Sequence, residues 1–152
     1  MSYLIDASSL INFKHYYEEI FSSLWQSLEE LVNNNELFSV REVFNEVSRQ
    51  DDKVVEWCKK HKQIFLIPDE VELKLVSDIL SKHKELIKKK NILSGSPDAD
   101  PFLIAVARNR NYKLITEEKL TPNAHKIPNI CMEMGVEFLS LKDFMIELGW
   151  KF

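Results

Sequence analysis

The 152 residues suffice for one domain with its own core and are too few for two, and 45% hydrophobic with 29% charged residues is an ordinary globular balance. Three glycines and five prolines argue against long flexible linkers, so a single domain over 1–152 is expected. A net charge of −4 excludes a surface coated in basic residues, yet residues 53–90 hold ten lysines against six acids and form a basic middle between acidic flanks. Cys58 and Cys131 lie far apart and outside any C-x-x-C pair, which excludes a cysteine-based zinc or redox motif. No apolar run approaches the length of a membrane span, and Met1-Ser2-Tyr3 carries no basic leader. A cytoplasmic location without membrane attachment is the expectation.

In chain order, Tyr3-Leu4-Ile5 reads as a buried strand that stops at Asp6. Residues 8–33 repeat apolar positions every three or four residues, the period of a helix, until Asn33-Asn34-Asn35 breaks it. Leu37 to Val40 is a short strand, Arg41 to Ser48 a helix, and Gln50-Asp51-Asp52 a turn before a helix marked by Val54, Val55, Trp57 and Cys58. Ile64 to Ile67 reads as a buried strand closed by Pro68, and residues 69–90 as an amphipathic helix. After the loop Ser94-Gly95-Ser96-Pro97, Asp100 is placed as an N-cap with Pro101 at the first helical position. A helix through Ala107, a strand over 112–116, a helix from Ile130 stopped by Gly135, a strand over 136–139 and a helix over 141–148 complete the chain. Strands alternating with helices imply a three-layer α/β fold: a mostly parallel sheet of about five strands, flanked by helices.

The acids fall where strands end or helices begin. Asp6 ends the first strand, Glu46 lies on the helix after the second, Asp100 opens the helix after the loop, and Glu117 and Glu118 follow Leu114-Ile115-Thr116. In a parallel sheet those ends share one edge, where open α/β sheets bind ligands. Carboxylates gathered there repel one another unless a cation neutralises them, and a hard ion such as Mg²⁺ or Mn²⁺ fits oxygen donors. Each acid also has a plain alternative: a helix cap for Asp6 and Asp100, a solvated helix face for Glu46, and a turn for Glu117 and Glu118.

Four segments together carry a resemblance: Leu4-Ile5-Asp6-Ala7-Ser8-Ser9-Leu10-Ile11, Val43-Phe44-Asn45-Glu46-Val47, Asp100-Pro101-Phe102-Leu103-Ile104-Ala105-Val106-Ala107 and Leu114-Ile115-Thr116-Glu117-Glu118. In order, spacing and context they resemble the four motifs of PIN-domain nucleases, including VapC-type toxins, and most of all bacterial PIN-like proteins that continue into a stretch like Lys126-Ile127-Pro128-Asn129-Ile130-Cys131. The resemblance implies a Rossmann-like PIN fold and a Mg²⁺- or Mn²⁺-dependent ribonuclease, the toxin of a toxin–antitoxin pair in some relatives. It maps Asp6, Glu46 and Asp100 onto the first three acids and Glu118, with Glu117 beside it, onto the fourth, where the usual residue is aspartate. Asp98 is a further ligand or a loop acid. Ser8 matches a small hydroxyl residue that holds a ligand or water in place, and Thr116 is the threonine of the fourth motif. An RNA substrate, an antitoxin protein laid across the groove and a homodimer are the implied partners.

Lys59-Lys60-His61-Lys62 and Lys88-Lys89-Lys90 would steer an RNA backbone, or merely solvate helix faces. His15, His61, His83 and His125 show no ligand spacing and are read as surface or helix-face residues, and Trp25, Trp57 and Trp150 as core or subunit contacts. A haloacid-dehalogenase-type phosphatase is disfavoured because it wants a second aspartate where Ser8 stands, and a response-regulator receiver because its paired acids are missing. A catalytically silent PIN-like interaction module is the rival from another class.

Overall fold

The computed structural model describes residues 1–49, 53–84 and 98–152. Its strands are β1 (Tyr3–Ile5), β2 (Leu37–Val40), β3 (Phe65–Leu66), β4 (Lys113–Ile115) and β5 (Phe138–Leu139). The helices are α1 (Ala7–Asn12), α2 (Ser22–Asn33), α3 (Arg41–Val47), α4 (Lys53–Lys60), α5 (Glu70–Lys82), α6 (Asp100–Arg110), α7 (Ile127–Met134) and α8 (Leu141–Glu147). All strand pairs are parallel, in the order β3-β2-β1-β4-β5, giving the expected three-layer, Rossmann-like arrangement. The order runs outward in opposite directions from β1, so the crevice between β1 and β4 is the switch point of the sheet.

Burial follows from composition. Leu4, Ile5, Leu114 and Ile115 are wholly buried on the central strands, as parallel strands covered on both faces must be. Helix α6 buries Leu103 through Ala107 in succession, and so has no solvated face over that stretch. It packs along α5, where the Glu72 carboxylate accepts bonds from Arg110 Nε at 2.8 Å, Arg110 Nη2 at 3.0 Å, Asn109 at 3.1 Å and the Asp69 backbone N–H at 2.9 Å. Among the described residues no helix is long and apolar enough to cross a membrane.

Four expectations need correction. The helical period over 8–33 is interrupted: α1 gives way to a 3₁₀ turn at Phe13–His15 and α2 begins only at Ser22. There the Tyr16 carbonyl leaves helical geometry to accept the Trp25 indole N–H at 2.7 Å, and Phe13, Tyr16, Phe21 and Trp25 pack together in the bend. The strand at 64–67 shrinks to Phe65–Leu66, with Ile64 in a 3₁₀ turn and Ile67 exposed. Helix α5 ends at Lys82, with His83 off helical geometry, rather than at residue 90. The N-cap of α6 is Ala99, so Asp100 is the first helical residue, not the cap. The expected turn at 50–52, the Ser94–Pro97 loop and Lys88-Lys89-Lys90 lie outside the described residues.

Candidate functional site

Asp6 leaves β1 at the switch point with extended backbone and caps α1, accepting the Ser9 backbone N–H at 2.8 Å. The parallel register pairs Ile5 with Ile115, which brings Thr116 directly beside it. Thr116 Oγ1 donates to Asp6 Oδ2 at 2.5 Å, and Ser8 Oγ stands 2.9 Å from both carboxylate oxygens. Each hydroxyl is itself a relay: Thr116 Oγ1 accepts the Glu118 N–H at 3.1 Å and Ser8 Oγ the Glu117 N–H at 3.3 Å. Asp6 is only 4% exposed, and among the described residues it has no cationic partner. Burial pushes its carboxyl above the ordinary range, against the opposing pull of the bonds from Thr116, Ser9 and Ser8.

A second acidic group forms on the β2 side of the same edge. Glu46, the last residue but one of α3, accepts the Ala99 N–H at 3.1 Å through Oε1. Asp98 is buried, and its Oδ1 accepts the Asp100 N–H at 3.3 Å. Glu46 therefore fixes the short segment that carries Asp98 and Asp100, although more than fifty positions separate them in the chain. Among the described residues, no three His, Cys, Asp or Glu side chains stand close enough together to hold a metal ion. The described acids form two groups rather than a closed cage.

The two candidates for the fourth acid each turn one oxygen onto a helix N-terminus. Glu117 Oε1 accepts the Leu141 N–H that opens α8 at 2.8 Å, and Glu118 Oε2 accepts the Ile127 N–H that opens α7 at 3.0 Å. A carboxylate there satisfies an orphan donor and faces the positive end of the helix. The backbone amides of both residues serve the Asp6 centre through Ser8 and Thr116, whatever their carboxylates do.

The donors at this edge are all oxygens, the chemistry of a hard cation. Mg²⁺ keeps several waters and uses only one or two protein carboxylates, so a split set of acids suits it where a closed cage is absent. Asp6 on one side, and Glu46 with Asp100 on the other, are the residues that would hold such an ion.

Some buried groups carry no sequence signal of their own. Glu42 is 1% exposed on α3, with Oε2 on Arg41 at 3.0 Å and Oε1 buried without a hydrogen-bond partner among the described residues. Its place one turn before Glu46, next to Val43, is the available hint. His83 and His125 meet at 3.0 Å between their Nδ1 atoms, and His83 Nε2 lies 3.0 Å from Glu133, so neither is a bare helix-face residue. His61 is likewise buried, stacked on Trp57 and paired with Glu29. Cys58 and Cys131 are buried free thiols, and burial, with the nearby Glu118 charge, pushes Cys131 up to about 12, leaving it unreactive.

Comparison with other proteins agrees with the fold. PAE2754 from Pyrobaculum aerophilum superimposes with a TM-score of 0.55 at 12% identity, over 98% of this chain and 97% of that one. No curated protein matches the sequence. Residues 3–152 match the family described as a domain of unknown function, DUF4411. The chain belongs to the DUF4411 family.

Proposed function

We propose that this protein is a ribonuclease that uses Mg²⁺ or Mn²⁺ to hydrolyse phosphodiester bonds, with Asp6, Glu46 and Asp100 as its acidic centre. The observation that supports the reading best is Asp6: a carboxylate buried at the switch point of the sheet, held by three donors and lacking a cation among the described residues. Strongly perturbed acids in a crevice mark functional sites more often than chance. The resemblance to PIN-domain nucleases points to the same residues.

When bound, the metal would lower the pKa of a water and offset the charge developing on the phosphoryl and leaving oxygens. The chain's own contribution is placement. Ser8 and Thr116 fix both oxygens of Asp6, and their hydroxyl protons are oriented toward it because each hydroxyl oxygen already accepts a backbone amide. Glu46 holds the 98–100 segment through Ala99, keeping Asp100 at the head of α6. Glu118, with Glu117 beside it, stays the candidate fourth acid through the carboxylate oxygen not spent on a helix N-terminus. Action as the toxin of a two-gene pair is the finer form of the proposal.

Incubation of the purified chain with varied labelled RNAs in Mn²⁺ or Mg²⁺ tests it. Cleavage that disappears with chelator and in Asp6→Asn is the expected result. No cleavage in either metal, or cleavage undiminished in Asp6→Asn, would leave the silent interaction module as the better reading. Growth arrest on expression, relieved by Asp6→Asn, is what the toxin role requires.

A further inference from the structure

Beside the Asp6 centre lies a hollow of about 390 Å³ whose lining includes Asn12, Tyr16, Lys142, Met145, Ile146 and Trp150. Glu117 also lines it, and the Glu117 N–H reaches Ser8 Oγ at 3.3 Å, which in turn stands 2.9 Å from the Asp6 carboxylate, so two residues link the hollow to Asp6. We infer that this hollow holds one unpaired nucleobase of a single-stranded RNA whose neighbouring phosphodiester lies at Asp6. The inference rests on the ribonuclease reading and adds to it how the substrate is gripped.

Four features of the hollow favour a base. Two aromatic rings line it, and both are braced by other rings: Tyr16 by Phe21 at 5.5 Å edge-on, and Trp150 by Phe144 at 5.6 Å. A braced ring loses little freedom on stacking, and every base offers it a face. Ile146 is 62% exposed and, with Met145, adds apolar surface that a planar base would cover. Asn12 supplies an amide, which both donates and accepts as base edges require.

Charge points the same way. Lys142 lines the hollow and is exposed, available to a flanking phosphate, and the carboxylate of Glu117 is turned onto the Leu141 N–H. A duplex does not fit this account, because its bases are stacked and paired and are not free to enter a hollow on the protein surface. Tyr16 also borders a second hollow of about 330 Å³ that includes Trp57 and Lys60.

The test is equilibrium binding of single-stranded hexaribonucleotides to the full chain in excess EDTA, where no metal-dependent cleavage occurs. Tyr16→Ala and Trp150→Leu should each weaken binding by about tenfold, the scale of losing one base–aromatic stack, while Tyr16→Phe retains it. A duplex of the same sequence should not compete. Because Trp150 also packs on Phe144, wild-type protein is in parallel photocrosslinked to a hexamer carrying 5-iodouridine, with adducts expected at Tyr16 or Trp150. Adducts only elsewhere, or unchanged affinity in folded Tyr16→Ala and Trp150→Leu, would overturn the base pocket while leaving metal-dependent cleavage untouched. A wild-type chain that neither binds nor cleaves RNA would sink both readings. A hollow that takes a peptide instead would show itself as cleavage without these adducts.

Discussion

Glu72 and Asp6 are both buried carboxylates, 0% and 4% exposed, and the protein treats them in opposite ways. Burial raises the pKa of each, but at Glu72 the bonds from Arg110, the Asp69 backbone and Asn109 outweigh it and hold the carboxyl below its ordinary value. At Asp6 two hydroxyls and one N–H do not outweigh it, and the carboxyl stays raised. Glu72 has a guanidinium in bidentate contact; Asp6 has no cation among the described residues. A buried charge that is fully compensated ties helices together, whereas one left short of compensation is a place where a cation or proton binds with gain.

The largest expected effect breaks the comparison at Asp6. Asp6→Asn should lower metal-dependent RNA cleavage by at least ~100-fold, the scale on which loss of one charge-stabilising group falls. The same variant should raise the thermal midpoint of the metal-free protein by a few degrees, since Asn still caps α1 and still accepts from Thr116 while the buried charge is gone. Activity in a cleavage assay and stability in a melting curve should thus move in opposite directions.

Arg110→Ala attacks the other carboxylate and should do the reverse. It strands Glu72 in the α5–α6 interface, at a cost of about 3–5 kcal/mol in denaturant unfolding, while cleavage per folded molecule is retained. Next in size is Thr116→Val, which removes the hydroxyl on Asp6 Oδ2 without changing side-chain shape. A loss of roughly 10-fold in metal affinity or cleavage is expected, as for other partners that orient a ligand.

The smallest effect is in pH, and its sign differs between the two centres. The stability that Glu72 contributes is present above its unfolded-state pKa and disappears as pH falls through its depressed folded value. Asp6, with a raised folded pKa, contributes most below its unfolded-state value, and that contribution is lost as pH rises through the folded one. Melting curves against pH should therefore show the wild type falling further below Asp6→Asn as pH increases, and converging on Glu72→Gln as it decreases.

How legible these regions were in the sequence follows from how local their causes are. Asp6 was visible because an acid directly after Tyr3-Leu4-Ile5 contradicts its surroundings, and the alternation of strands and helices sufficed for the parallel sheet. The bend at Tyr16 was hidden, since the carbonyl that leaves the helix is captured by an indole nine residues on and the apolar period runs through the break. Asp100 was displaced from the cap by one residue, within the usual uncertainty of a helix boundary. Glu72 drew no reading from the sequence, because its burial depends on Arg110, which meets it from 38 residues away. The choice between Glu117 and Glu118 was not readable, because the N–H groups they accept belong to helices that begin 24 and 9 residues later.

Calorimetric titration of Mn²⁺ into the wild-type chain and into Asp6→Asn tests the central claim most directly. The account predicts saturable binding to the wild type, accompanied by a rise in its thermal midpoint, and loss of both in Asp6→Asn. Binding of equal strength to the two proteins, or none to the wild type, would contradict it and make Asp6 only the cap of α1.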